Sequence, residues 1–170
     1  LDTFLKKLAT HVDLSGVSAV GHRVVHGGPH YTDAQRLTPR VESDLRKLIP
    51  LAPLHMPANL DGIVAARLRL PNALHYACFD TSFHSDMPIA AQRTGLPPKM
   101  EDPFIRRFGF HGLSYAFIVD DLAARAGKAV SRQLLLVAHL GAGASMAAIK
   151  NRQTVDTSMG FSALAGLPMA

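Results

Sequence analysis

The chain reads as an α/β protein, and two observations predict that class. Short apolar runs suited to strands, at residues 18–25, 75–79 and 134–138, alternate with stretches whose apolar residues recur at helical spacing. The 170 residues are 48% hydrophobic and 18% charged, which is enough to bury a core and unlike a disordered composition.

The elements follow in order. Leu1, Phe4, Leu5 and Leu8 predict an amphipathic helix over 2–12. Ser18 to Val25 reads as a strand, turned at Gly27-Gly28-Pro29. Thr38 followed by Pro39 is an N-cap with proline at the first helical position, and Val41, Leu45, Leu48 and Ile49 share the face that follows. A proline-flanked loop, Pro50 to Pro57, leads into a second helix through Leu60, Ile63, Val64 and Ala66. His75 to Phe79 is a buried strand ending at Asp80-Thr81. Residues 85–105 carry Pro88, Pro97, Pro98 and Pro103 and read as a connection at a domain boundary. Ser114 is placed to cap a helix that runs to Ala126 and stops at Gly127. Leu134 to Ala138 and Ser145 to Ile149 form a hairpin around Gly141-Ala142-Gly143.

Charge and composition exclude several functions. The formal net charge of +5 favours anionic partners, but no run of Lys and Arg stands out. With 6% aromatics and no Trp, base-stacking platforms are sparse, so no nucleic-acid partner is expected. Cys78 has no second cysteine to pair with, and Tyr76, Ala77 and Phe79 around it suggest a buried thiol in a reducing compartment. No leader-like opening and no bilayer-length apolar run are present, so a cytoplasmic protein without a membrane partner is expected. Both ends read as cuts, within a helix at Leu1 and after a glycine-containing segment at Ala170.

Six short blocks can carry chemistry. In GHRVVHGG (21–28), Arg23 stands at a strand end beside glycines, where a guanidinium can grip a carboxylate or phosphate; a surface Arg in a glycine turn explains it equally well. His22, His26 and His30 sit four apart, but Gly27, Gly28 and Pro29 forbid the helix a metal face would need. In LAPLHMPAN (51–59), His55 lies between prolines ahead of a helix, a place to meet an anion, although a histidine bonded to backbone fits the local pattern better. In FDTSFH (79–84), Asp80 ends a buried strand, where open α/β sheets place ligands and where a turn-capping Asp also occurs. In RRFGFHGLS (106–114), His111 between glycine and phenylalanine can donate to a phosphoryl oxygen or serve as a core histidine. In HLGAGAS (139–145), glycines can expose backbone N–H groups to a phosphate, as they also do in any tight hairpin. VDTSMGF (155–161) reads as a loop lining a site, with Asp156 equally able to cap a turn.

Taken together and in this order, the six blocks resemble the acetate kinase family over essentially the whole chain. The resemblance implies an actin-like ATPase (ribonuclease H-like) fold with mixed sheets and flanking helices, here incomplete. Residues 1–84 would belong to the N-terminal domain and 85–170 would begin the second. It implies direct in-line phosphoryl transfer from ATP to acetate, giving ADP and acetyl phosphate, with Mg²⁺ or Mn²⁺, in a homodimer when full length. By the same resemblance Arg23 binds the carboxylate, Asp80 is the catalytic aspartate, and His111 stabilises the transferring phosphoryl. Val25, Leu54 and Phe110 form the pocket for the substrate's methyl, with His55 in a lesser role at the site, and His139, Leu140, Gly141, Ala142 and Gly143 form the ATP-binding hairpin. No residue of the chain is assigned as a metal ligand.

The chain departs from the family at several positions. The family usually has Asn where Met56 and Ala142 stand, Thr and His where Leu113 and Tyr115 stand, and Pro where Ala163 stands. The alternatives are therefore a propionate or butyrate kinase, or a weak paralogue that only binds nucleotide. The family's N-terminal phosphate loop, second catalytic arginine, acidic metal ligand and adenine site would lie outside these residues, so the 170-residue chain is not expected to catalyse alone.

Overall fold

A computed structural model of the protein describes residues 2–100 and 102–169, so Leu1 and Ala170 of the expectations above lie outside the described residues. The elements run α1 (Asp2–Leu8), β1 (Ala19–Val24), β2 (Gln35–Arg36), α2 (Pro39–Lys47), α3 (Met56–Arg69), β3 (Leu74–Phe79), α4 (Ile89–Gln92), α5 (Gly112–Ala126), α6 (Lys128–Ser131), β4 (Leu134–Leu140), β5 (Ala144–Lys150) and β6 (Gln153–Thr157). The α/β class holds. β1 pairs parallel with β3, from Ala19 opposite Leu74 to Val24 opposite Phe79, and β2 adds antiparallel to the other edge of β3. β4, β5 and β6 form a second, antiparallel sheet.

Local chemistry accounts for the elements. At α2 the Thr38 hydroxyl accepts from the Val41 N–H at 3.3 Å, with Pro39 at the first position, as the sequence predicts. Along α3, Met56, Leu60, Ile63 and Ala66 bury one face at spacings of three and four. Met56, Leu60 and Ile63 pack with Val24, Leu45, Ala77 and Phe79 around the first sheet, and Phe108, Phe110 and Met159 join the same cluster. Each such large apolar side chain contributes about 1.5–3 kcal/mol by leaving water. A second cluster forms where Tyr115 and Val119, one turn apart on α5, meet Val137, Ala147 and Ile149 of the second sheet.

Several expectations need correction. The first helix ends at Leu8 rather than residue 12, and Phe4 from its apolar stripe is exposed. The α3 helix starts at Met56, inside the expected loop, because that side chain is drawn completely into the core. Cys78 is half-buried. Ser114 does not cap α5, since the helix begins at Gly112 with His111 in the cap position and left-handed, φ 58°. The Gly112 N–H donates instead to the Asp80 carbonyl at 2.8 Å, a partner 32 residues away in sequence that no local pattern reveals. The expected loop at 155–161 contains the end of β6. The β5–β6 hairpin turns on Asn151 and Arg152, both at positive φ, without the glycine that would have marked it. Among the described residues, no helix is long and apolar enough to cross a membrane.

Candidate active site

Arg23, Val25, His55, Asp80, Phe110, His111, Ala142 and Gly143 line one cavity of about 270 Å³. They arrive from five segments of chain, and Met159, Ala163, Leu164 and Met169 complete the wall.

The first side of the cavity is a charge pair. Asp80 follows the end of β3, its N–H bonded to the Val24 carbonyl at 3.0 Å, and its residue is 1% exposed. Parallel pairing of β1 with β3 sets Arg23 beside it. The Arg23 Nη2 donates to Asp80 Oδ2 at 2.6 Å, and Nε lies 3.1 Å from both carboxylate oxygens. Hydrogen bonding to Asp80 raises the Arg23 pKa above its already high value, so the guanidinium is permanently charged. The Arg23 side chain remains 64% exposed and its Nη1 makes no protein hydrogen bond among the described residues, so it keeps donors for an anion. Around it, the Val25 N–H donates to Asn59 Oδ1 at 2.9 Å and the Gly27 N–H to the Thr81 hydroxyl at 3.1 Å, which pins the turn after β1.

The opposite side is neutral. His111 is carried at the start of α5, which abuts Asp80 so closely that a Cβ on Gly112 would lie 2.4 Å from the Asp80 carbonyl oxygen. Its Nδ1 is 2.9 Å from the hydroxyl of Ser145, and its ring stacks on His139 with centroids 4.0 Å apart. Burial, chiefly, with the neighbouring His139 and Arg23, lowers the His111 pKa against an opposing pull from Asp80, so the ring is neutral at pH 7. Its Nε2 stands at the hairpin between β4 and β5, where a Cβ on Gly143 would come within 3.2 Å. A side chain there would press on the imidazole, which would have to give by a few tenths of an ångström.

The structure thus gathers Arg23, Val25, His55, Asp80, Phe110, His111, Ala142 and Gly143, and it does not bring the remaining candidates to the cavity wall. Leu54 is 75% exposed and is not among the residues lining the cavity, whose apolar wall Val25, Phe110, Met159 and Ala163 supply instead. His139 sits behind His111, its Nδ1 3.0 Å from the Ser114 hydroxyl. Leu140 is 77% exposed, and Gly141 closes the turn through a bond to the Gly143 carbonyl. Sequence reasoning missed Met159 and Ser145 as site components. Both lie inside quoted blocks, but nothing local distinguished them from their neighbours. Among the described residues, no group of three or more His, Cys, Asp or Glu could hold a metal ion.

Comparison with known proteins decides the family. The sequence profile of the Acetokinase family matches residues 1–170. The chain belongs to the acetokinase family. It is 46% identical over 156 residues to the acetate kinase of Rippkaea orientalis, covering 92% of this chain and 39% of that protein. Among solved structures, Porphyromonas gingivalis acetate kinase superimposes with a TM-score of 0.81 at 41% identity, over 89% of this chain and 38% of that one. A propionate kinase from Francisella tularensis subsp. tularensis SCHU S4 superimposes with a TM-score of 0.87 at 33% identity, over 99% of this chain and 44% of that one. The fold is therefore the actin-like one of these acetokinase relatives, and the chain spans about two-fifths of the length of the curated relatives it matches.

Proposed function

We propose that the protein is a carboxylate kinase that transfers the γ-phosphoryl of ATP to acetate by direct in-line attack. One observation carries the reading: Arg23, Asp80, His111 and the Gly143 hairpin, distant in sequence, surround a single small cavity with an apolar wall. In this reading the free donors of Arg23 hold the carboxylate, and Val25, Phe110, Met159 and Ala163 receive its methyl group. Asp80 fixes the guanidinium, and His111 Nε2 donates to the oxygens of the transferring phosphoryl. Backbone N–H groups near Ala142 and Gly143 meet the nucleotide phosphates. Such a reaction depends on positioning and charge stabilisation rather than on a covalent enzyme intermediate, and this set of side chains supplies both.

The donor set fits Mg²⁺ in the form that accompanies nucleotides. That ion is usually held by one or two carboxylates plus substrate phosphates, and Asp80 is the one carboxylate among the cavity's lining residues. Asp80 would contribute to holding it, and when bound it neutralises charge on the phosphate oxygens. We also propose that residues 1–84 and 85–170 belong to two actin-like domains and that the full-length protein works as a cytosolic homodimer.

Ala163 favours a second reading within the same chemistry. A small residue in the apolar wall leaves room for a longer acid such as propionate. Hydroxamate trapping of acyl phosphate formed by the full-length protein, with ATP, Mg²⁺ and acetate, propionate or butyrate, tests both. ATP-dependent acyl phosphate with acetate as the best acid supports the first reading, and a preference for propionate supports the second. ATP binding without acyl phosphate from any acid would contradict both and leave a nucleotide-binding paralogue.

A further inference from the structure

The cavity residue His111 is held from behind by two groups that no chemistry described so far uses. Ser145 on β5 and Tyr115 on α5 are both completely buried. The Ser145 hydroxyl is hydrogen-bonded to the Tyr115 hydroxyl and lies 2.9 Å from His111 Nδ1. Tyr115 stands one helical turn after His111, so the same helix that presents the imidazole also presents the phenol behind it.

We propose that Tyr115 and Ser145 form a directed hydrogen-bond relay that fixes His111 as the tautomer carrying its proton on Nε2. Counting donors gives the direction. The Tyr115 hydroxyl is completely buried, Ser145 Oγ is its one hydrogen-bond partner among the described residues, and burial keeps the phenol protonated by raising its pKa. Its proton therefore goes to the one side-chain oxygen bonded to it, Ser145 Oγ. A serine hydroxyl has a single proton, and with its oxygen receiving from Tyr115 that proton points at His111 Nδ1. A neutral imidazole that accepts at Nδ1 carries its hydrogen at Nε2, the atom beside the Gly143 hairpin. Without the relay the ring can place its proton on Nδ1 and turn a lone pair toward the incoming phosphoryl oxygens, which would repel them. Tyr115 is thus a positioning residue, acting only through His111.

The kinetic consequence rests on the carboxylate kinase reading, but the tautomer does not. Long-range ¹H–¹⁵N correlation spectra of histidine-labelled full-length protein report which ring nitrogen is protonated, with His111→Asn identifying the His111 signals. The expected result is the Nε2–H tautomer in the parent protein and a mixture of both tautomers in Tyr115→Phe, which keeps the buried ring. Ser145→Ala should produce the same mixture, so either variant serves if the other folds poorly. In the kinase assay Tyr115→Phe should lower kcat about tenfold or less, the worth of one hydrogen bond, with KM for both substrates little changed. An Nδ1–H parent, or ring shifts unaltered in both folded variants, would overturn the relay. A parent protein with the Nε2–H tautomer but no acyl phosphate would overturn the kinase reading and leave the relay standing.

Discussion

The two sides of the cavity are built on opposite principles. Arg23 and Asp80 are charges that satisfy each other at 2.6 Å before any substrate arrives, and their geometry needs only the parallel pairing of β1 with β3. His111 faces them as a neutral ring whose place depends on a left-handed residue, a glycine contact, a stacked histidine and a buried hydroxyl. The bond to Asp80 raises the Arg23 pKa, so its guanidinium keeps its charge through the neutral range. The neutral side depends on groups that must stay unprotonated, so acid, crowding and hairpin changes should act on it first.

Acid gives the largest expected effect. His84 bridges the Thr154 hydroxyl and the Phe110 carbonyl under the His111 segment, and burial pushes its pKa down to about 4. His26, packed edge-on against Phe108 and Phe110, is also pushed down to about 4 by burial, with Arg106 adding to it. Both bind a proton more readily when unfolded, near pH 6.5, so their neutral burial is favourable above that pH and is lost as pH falls from 6.5 towards 4. The loss should reach about 3 kcal/mol for each. Urea unfolding midpoints measured between pH 7 and 4 should drop steeply, and His84→Gln should flatten the curve; a parent curve flat over that window would break the contrast between the two sides.

Crowding comes next. In Gly112→Ala the new methyl would meet the Asp80 carbonyl at 2.4 Å and the Phe83 Cβ at 2.9 Å, where the two sides of the cavity touch through backbone. We expect a loss of about 1–3 kcal/mol in unfolding free energy, as for overpacked cores, together with impaired turnover. Gly62→Ala, on α3 with open space around it, is the control that should not lose stability. The smallest effect should come from the hairpin. Ala142 is exposed on the cavity rim, and Ala142→Asn offers a phosphate one more donor. One added bond to a charged group should lower KM for ATP about tenfold while KM for acetate stays put.

The same contrast marks what could be read in advance. Arg23 and Asp80 end strands whose apolar runs were legible, so their meeting followed once β1 and β3 paired. The Thr38-Pro39 cap and the β4–β5 hairpin were equally plain, because their signals are local. The neutral side was only half legible. The α5 start was misplaced because a carbonyl from Asp80 caps it, and β6 escaped because Asn151-Arg152 turns the hairpin without glycine. Leu54, carried in by family likeness, faces solvent, while Met159 and Ser145 took their places only through packing across the sheets.

The most direct test of the central claim is acyl phosphate formation by the full-length protein with Arg23→Ala, Asp80→Asn and His111→Asn, assayed beside the parent and checked for intact folding. The account predicts that each variant loses at least about 100-fold in kcat/KM, since each removes a group aimed at the reacting carboxylate or phosphoryl. Folded variants that retained parental turnover would show that this cavity is not where the phosphoryl group moves.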